Sequence, residues 1–375
     1  MLRFTRAFAL GWIVLGCGGS TDTDAGGTGG AGGAGGSAAG GSAGAAGGGS
    51  GGSATGGAAG APTGGAAGTP SGGASSGGAG GGGPVADPSK PGTNGGAPFD
   101  GTASVAATKH QVPMHCVLPV GSSSATAPVI LIGHGFQLPA KQYYGYADRL
   151  ASHGFIACTV DFPAGFSPDH AGAAKDMSGA LDWVLVQSAS SGSPLQGKVD
   201  INQIGVMGHS LGGKVSVLAA KADVRFKAVL GLDPVDAATG CTDKTLCPDA
   251  SDSLPLPIPT AFLGETLDAT GSFQACAPAA DNYQTFFAKA GAPSVEVTLN
   301  GANHMSFIDD VAGCGFTCTF CQKATLPSAD ALDIARAYGV AFFARHLRGQ
   351  SGYDAWLTGD LAKQKWGAKI SLQSK

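Results

Sequence analysis

Three glycines flank one serine in Gly208-His209-Ser210-Leu211-Gly212-Gly213. The pattern Gly-x-Ser-x-Gly suits a sharp turn from strand to helix. In such a turn the serine takes a strained backbone conformation, and residues two places either side cannot carry a Cβ without clashing. The flanks agree with this: Ile201–Met207 reads as a strand and Leu211–Ala222 as a small-residue helix. A helix N-terminus behind the hydroxyl favours negative charge as it develops. A serine hydroxyl is a poor nucleophile at neutral pH, so it needs a base and an acid that orients the base. The chemistry implied is nucleophilic acyl transfer through a covalent serine intermediate.

For a serine on this kind of turn, the acid and then the histidine follow in chain order. Of eight histidines only His304 and His346 come after Ser210. His346 sits in the helical stretch Ala329–Leu347 between Arg345 and Leu347 and reads as a solvated helix-end residue. His304 lies in the loop Asn300–Met305, just after a strand, and is taken as the base. Two acids fit: Asp233, which ends a strand in Gly231-Leu232-Asp233-Pro234-Val235, and Asp268, after the strand Ile258–Leu263. We take Asp233, with Asp268 as the alternative. Donors for an oxyanion are expected from the backbone amides of Leu211 and of Phe136, in Gly133-His134-Gly135-Phe136. Gln137 and Met305 are candidate substrate contacts, and His134 reads as a structural hydrogen-bonding residue.

The elements that must hold these residues alternate. Pro128–Gly133, Phe155–Phe162, Ile201–Met207, Phe226–Leu232, Ile258–Leu263 and Ser294–Leu299 read as buried strands. Lys141–Gly154, Ala171–Gln187, Leu211–Ala222, Tyr283–Ala290 and Ala329–Leu347 read as helices. That order predicts an α/β fold with a mostly parallel sheet covered on both faces, and Val112–Val120 as an antiparallel edge.

The rest of the chain is of another kind. More than half of the 65 glycines fall between Gly18 and Ala97, among Ala, Ser, Thr and Pro. Such a stretch cannot bury enough apolar surface to offset chain entropy. Residues 17–98 are therefore expected to be a disordered tether, with a root-mean-square span of roughly 50 Å, and residues 99–375 a catalytic domain. Residues 1–16 carry Arg3 and Arg6 and then an apolar run, as a secretory signal does. Val14-Leu15-Gly16-Cys17 looks like a bacterial lipobox, so Cys17 is expected to be lipidated and the protein exported and held at a membrane. No apolar run reaches the roughly 18–20 residues of a membrane span. The net charge of −4 and the lack of a Lys/Arg cluster argue against nucleic acid as a partner.

Eight cysteines remain besides Cys17, an even number that in an exported protein suggests disulfides. Cys241–Cys247 is expected as a local bridge, with at least one more within or from Cys314–Cys321, and Cys158 as a buried thiol. Cys314, Cys318 and Cys321 lack a fourth zinc ligand at convincing spacing. Gly133-His134-Gly135-Phe136 lacks the third glycine of a dinucleotide turn. No metal or cofactor is expected, and we expect a monomer.

Residues 129–349 resemble the α/β-hydrolase superfamily, and within it chlorophyllase-type esterases. The resemblance is carried by Gly133-His134-Gly135-Phe136, Ala151-Ser152-His153-Gly154-Phe155-Ile156, the turn from Gly208 to Lys214, the stretch Phe226–Asp236, and His304-Met305 with Asp309-Asp310. It implies the α/β-hydrolase fold and a triad that falls on Ser210, Asp233 and His304, and so favours Asp233 over Asp268. It also implies hydrolysis of carboxylic esters, small or polymeric. Plant chlorophyllases usually carry Arg after the nucleophile, where this chain has Leu211. Cutinases and polyester hydrolases are similar in architecture and form a second reading. A scaffold that kept the fold without its chemistry is the reading from another class.

Overall fold

The computed structural model describes residues 85–375 except 166, 238–240 and 271–274. The signal, Cys17 and residues 17–84 of the expected tether lie outside the described residues. The described residues all belong to one compact unit, Ala74–Lys375.

The continuous apolar runs become the middle of one nine-stranded sheet. In chain order its strands are β1 (Gly95–Val105), β2 (His110–Val120), β3 (Ala127–Gly133), β4 (Ile156–Val160), β5 (Val199–His209), β6 (Phe226–Leu232), β7 (Thr260–Glu265), β8 (Ser294–Leu299) and β9 (Ile370–Ser374). Across the sheet they run β1-β2-β4-β3-β5-β6-β7-β8-β9. The six from β4 to β8 are parallel to one another, while β1, β2 and β9 are antiparallel to their neighbours. This is the mostly parallel sheet of the α/β-hydrolase fold.

Both faces are covered. α1 (Tyr144–Ser152) and α5 (Ser328–Arg348) lie on one, with α6 (Asp354–Leu357) and α7 (Asp360–Trp366). α2 (His170–Ala189), α3 (Leu211–Ala222) and α4 (Tyr283–Lys289) cover the other. Strands buried on both sides have no polar face to show, so β3 and β4 are buried at every residue.

From β3 the chain steps to β4 on one side and then crosses back to form β5 on the other side of β3. At such a reversal the carboxyl ends of neighbouring strands splay and open a crevice. Gly133-His134-Gly135-Phe136 leaves β3 there, and Ser210 leaves β5.

Two features differ from the sequence expectation. Gly95–Pro98, grouped by composition with the tether, is strand: it pairs with Val117–Val120. Backbone pairing needs no apolar side chain, so composition conceals it. Cys158 is not a free thiol. The antiparallel β2–β4 pairing sets it directly opposite Cys116, to which it is bonded. Cys241–Cys247, Cys276–Cys321 and Cys314–Cys318 are also bridged.

Candidate active site

Ser210 stands between β5 and α3 with φ 55° and ψ −118°. This strain is tolerated because the chain is clamped on both sides of it. The Ser210 N–H donates to the Leu232 carbonyl at 3.0 Å, and its own carbonyl accepts the Lys214 N–H at 3.1 Å. The glycines make room: a Cβ on Gly212 would lie 2.3 Å from the Gly133 carbonyl oxygen, and one on Gly208 would lie 2.4 Å from the Gly212 carbonyl carbon. The elbow and the loop after β3 therefore touch backbone to backbone. Leu211 is the first helical residue, so its amide has no acceptor within the helix.

His304 Nε2 lies 2.9 Å from Ser210 Oγ, and its Nδ1 lies 2.6 Å from Asp233 Oδ2. The carboxylate at Nδ1 fixes the tautomer: the proton sits on Nδ1, and Nε2 presents a lone pair to the hydroxyl. Asp233 follows β6 directly, at φ 44°, and is fully buried. Its Oδ1 has no hydrogen-bond partner among the described residues. Burial raises its pKa above the ordinary carboxylate value, the His304 partnership opposes that, and the nearby Asp268 charge adds to it.

Asp268 has a different task. Its Oδ2 accepts the backbone N–H of His304 at 2.8 Å and its Oδ1 that of Gln322 at 2.7 Å. It grips the loop, whereas Asp233 meets the ring. Glu265, at the end of β7, accepts the Leu267 and Asp268 amides. Burial, together with the Asp233 charge, pushes its carboxyl up to about 8. His304 itself opens a short 3₁₀ turn closed by Asn303 and Ser306: the Asn303 N–H donates to Ser306 Oγ at 3.0 Å, and that hydroxyl donates to Asn303 Oδ1 at 2.9 Å.

A second buried network joins His304 to the loop after β3. His209 Nε2 lies 2.9 Å from the His304 carbonyl, so that nitrogen carries the proton. Nδ1 then accepts from the Tyr143 hydroxyl at 2.8 Å, and the Tyr143 oxygen accepts the Gly135 N–H at 3.1 Å. Burial, with the neighbouring His304 ring, holds the His209 pKa well below its usual value, so the ring stays neutral. The Gly135 amide is thus committed to Tyr143. Neither His209 nor Tyr143 stands out in the sequence as a site residue: a histidine at the variable position of the motif and one tyrosine among six carry no spacing signal.

Behind the elbow, Lys214 is fully buried and donates to the Asp236 carbonyl at 2.7 Å, with its ammonium 3.3 Å from Asp236 Oδ1. Asp236 also accepts the Ala250 and Ser251 amides at 2.7 and 2.9 Å, tying the loop after β6 under α3.

Among the remaining expected residues, Phe136 is 39% exposed and lines a narrow cleft with Leu211. Gln137 is exposed beside it. Met305 is buried in the core on the α1–α5 side. His134 is buried, with both ring nitrogens against carbonyls, those of Gly135 at 2.8 Å and Phe162 at 2.9 Å. His346 is not solvated as expected: it is half-buried beside Phe342, ring centroids 4.8 Å apart. Asp268 lies within 4.8 Å of the sulfurs of Cys276 and Cys321, but those are joined to each other and offer no thiolate.

Comparison with known proteins adds a family. The family model described as chlorophyllase matches residues 99–361. Chlorophyllase-1 of Citrus sinensis is 31% identical over 215 residues, which cover 56% of this chain and 63% of that protein. The bis(hydroxyethyl) terephthalate hydrolase of Streptomyces coelicolor is 30% identical over 193 residues, 50% of this chain and 54% of that protein. Cutinase est1 of Thermobifida alba is 26% identical over 184 residues, 48% of this chain and 54% of that protein. In each case the chain spans less than two thirds of its relative's length.

Proposed function

The chain belongs to the chlorophyllase family, and from that premise we propose that it is a serine carboxylic-ester hydrolase working through an acyl-enzyme. The observation that carries this reading is the pair of contacts at one imidazole, 2.9 Å to Ser210 Oγ and 2.6 Å to Asp233 Oδ2.

His304 takes the Ser210 proton as the oxygen attacks the ester carbonyl carbon. Asp233 stabilises the imidazolium that forms without itself taking the proton. The amides of Leu211 and Phe136 hold the oxyanion, each such donor lowering the barrier by roughly 2.7–4 kcal/mol. Collapse of the tetrahedral species expels the alcohol, protonated by His304. Water then attacks the acyl-enzyme through the same base and releases the acid. Gln137, exposed next to Phe136, meets the substrate at the rim, whereas Met305, buried in the core on the α1–α5 side, has no part in substrate contact.

The substrate is a small or polymeric carboxylic ester. Leu211 keeps the elbow apolar, which suits a hydrophobic acyl or aryl group. The likeness to a bis(hydroxyethyl) terephthalate hydrolase and a cutinase supports a test of polyester fragments beside chlorophyll-type esters.

The protein is exported and held by lipid at Cys17. Among the described residues no helix is long and apolar enough to cross a membrane. Gly92 and Asn94 bind Ser152, just before β4, and so lie at the end of the sheet opposite Ser210. The chain thus enters the catalytic domain on the side away from the site.

A fluorophosphonate probe, with hydrolysis of short 4-nitrophenyl esters, tests the reading. Labelling and turnover are expected in the wild type and absent in Ser210→Ala. An unlabelled wild type without activity would return the chain to the non-catalytic scaffold reading. Activity surviving in Ser210→Ala would overturn the nucleophile.

A further inference from the structure

Besides Asp268, one exposed residue ties down the loop of His304. Gln322 follows the half-buried Cys321, and its backbone and side chain are bonded to both loops that frame the site. Its backbone N–H donates to Asp268 Oδ1 at 2.7 Å, and the other oxygen of that carboxylate accepts the His304 N–H. Its backbone carbonyl accepts from Asn303 Nδ2 at 2.6 Å. Its side-chain amide donates to the Leu267 carbonyl and, at 2.6 Å, to that of Thr270. One residue therefore grips Asp268, the residues around it in the loop after β7, and the residue just before His304. The adjacent Cys321 is bonded to Cys276, which lies in the same loop after β7.

The segment that carries Gln322 is tied to the His304 loop again further on. The Thr325 and Leu326 amides both donate to the Gly301 carbonyl at 2.8 Å, and the Gly301 N–H donates to Thr266 Oγ1 at 2.9 Å. Residues 321–326 thus strap the two loops together. An exposed side chain is usually dispensable; this one is joined to the residues that hold His304. The His304 ring must meet Ser210 and Asp233 at once, at 2.9 and 2.6 Å. A displacement of about 1 Å in such a constellation costs up to roughly 100-fold in rate.

We propose that Gln322, locked in place by the Cys276–Cys321 bridge, is a positioning residue that fixes the His304 ring between Ser210 and Asp233. The proposal rests on the esterase reading and deepens it. Gln322 acts through Asp268 and Asn303 rather than on the reacting atoms.

The test is steady-state hydrolysis of 4-nitrophenyl butanoate, well below the unfolding temperature, by variants of the full chain. Gln322→Ala removes the side-chain donors, and Cys276→Ala with Cys321→Ala removes the bridge. Each is expected to lower kcat by roughly 10- to 100-fold with KM nearly unchanged. Cys116→Ala with Cys158→Ala is the control. That bridge has a sequence separation of 42 against 45 for Cys276–Cys321, so its loss relaxes the unfolded chain by about as much, but it joins β2 to β4. It should lower the melting temperature comparably and leave kcat in place. In a ¹H spectrum, the low-field signal of the proton between His304 Nδ1 and Asp233 should broaden in Gln322→Ala, which lost stability alone would not cause. If the Cys276, Cys321 variant does not fold, Gln322→Ala, altered only at an exposed side chain, carries the test. Wild-type kcat or an unaltered low-field signal in Gln322→Ala, or equal kcat losses in the two bridge variants, overturns the proposal and leaves the esterase reading intact. A wild type without turnover overturns both.

Discussion

The backbone N–H of His304 donates to Asp268 at 2.8 Å, while the ring of the same residue faces Asp233 at 2.6 Å. Two buried carboxylates therefore hold one histidine from different sides, and only one of them meets the imidazole. On the proposed mechanism, the carboxylate in contact with the ring sets its tautomer and stabilises its charge. The other fixes where the loop sits.

This division predicts unequal effects. Asp233→Asn should lower kcat by about ten-thousand-fold, because an amide at Nδ1 favours the wrong tautomer. Asp268→Asn should lower kcat far less but reduce the melting temperature, since the His304 and Gln322 amides lose a charged acceptor. Turnover of one ester by both variants, with thermal unfolding, checks the ranking. The reverse order would make Asp268 the acid.

Gly212→Ala should give a markedly less stable protein. The added methyl would meet the Gly133 carbonyl at 2.3 Å, and neither strand nor helix can retreat without breaking β3–β5 pairing or the elbow. A loss of about 3 kcal/mol is expected, the upper end of the usual cost of overpacking a core. Denaturant unfolding measures it. A variant as stable as the wild type would mean the elbow and the β3 loop are not in contact.

Glu265→Gln should change how stability depends on pH. The folded protein holds the Glu265 proton up to about pH 8, while the ordinary value for a glutamate is 4.5. Between those values the native state binds a proton that the unfolded chain has released, so this group's contribution to stability falls as pH rises through that window. Glutamine removes the dependence. The variant should match the wild type in melting temperature near pH 4 and exceed it above pH 8. Parallel curves at all pH values would show that Glu265 ionises normally.

Tyr143→Phe removes the hydroxyl between the Gly135 amide and His209. Two buried partners lose their hydrogen bonds at once, a cost of about 2–4 kcal/mol. The loop after β3 and the loop of His304 share this network, so kcat should fall more than KM rises. Urea unfolding and steady-state kinetics read the two effects. Unaltered stability would show that the hydroxyl bridges nothing.

Much of the fold was legible because strands buried on both faces are written as unbroken apolar runs. Val129–Ile132, Ala228–Leu230 and Ala261–Leu263 need no partner to be recognised, and alternation with amphipathic helices sets the fold class. The edges are harder to see. β9 runs Ile370–Ser374 with one buried residue in five, and its place beside β8 depends on backbone bonds that leave little trace in side chains. Gly95–Pro98 is hidden in the same way.

The order of residues along the chain already specifies which chemical groups are at hand: a hydroxyl framed by glycines, then carboxylates, then a late histidine. Steric demands at a sharp turn are local, so they appear as local spacing. Folding settles the rest: which carboxylate meets the His304 ring, and how His209 and Tyr143 link two loops. Those relations join residues tens of positions apart. They arise from how the carboxyl ends of β3, β5, β6 and β7 are brought side by side, a matter of strand order that no stretch of neighbouring residues encodes.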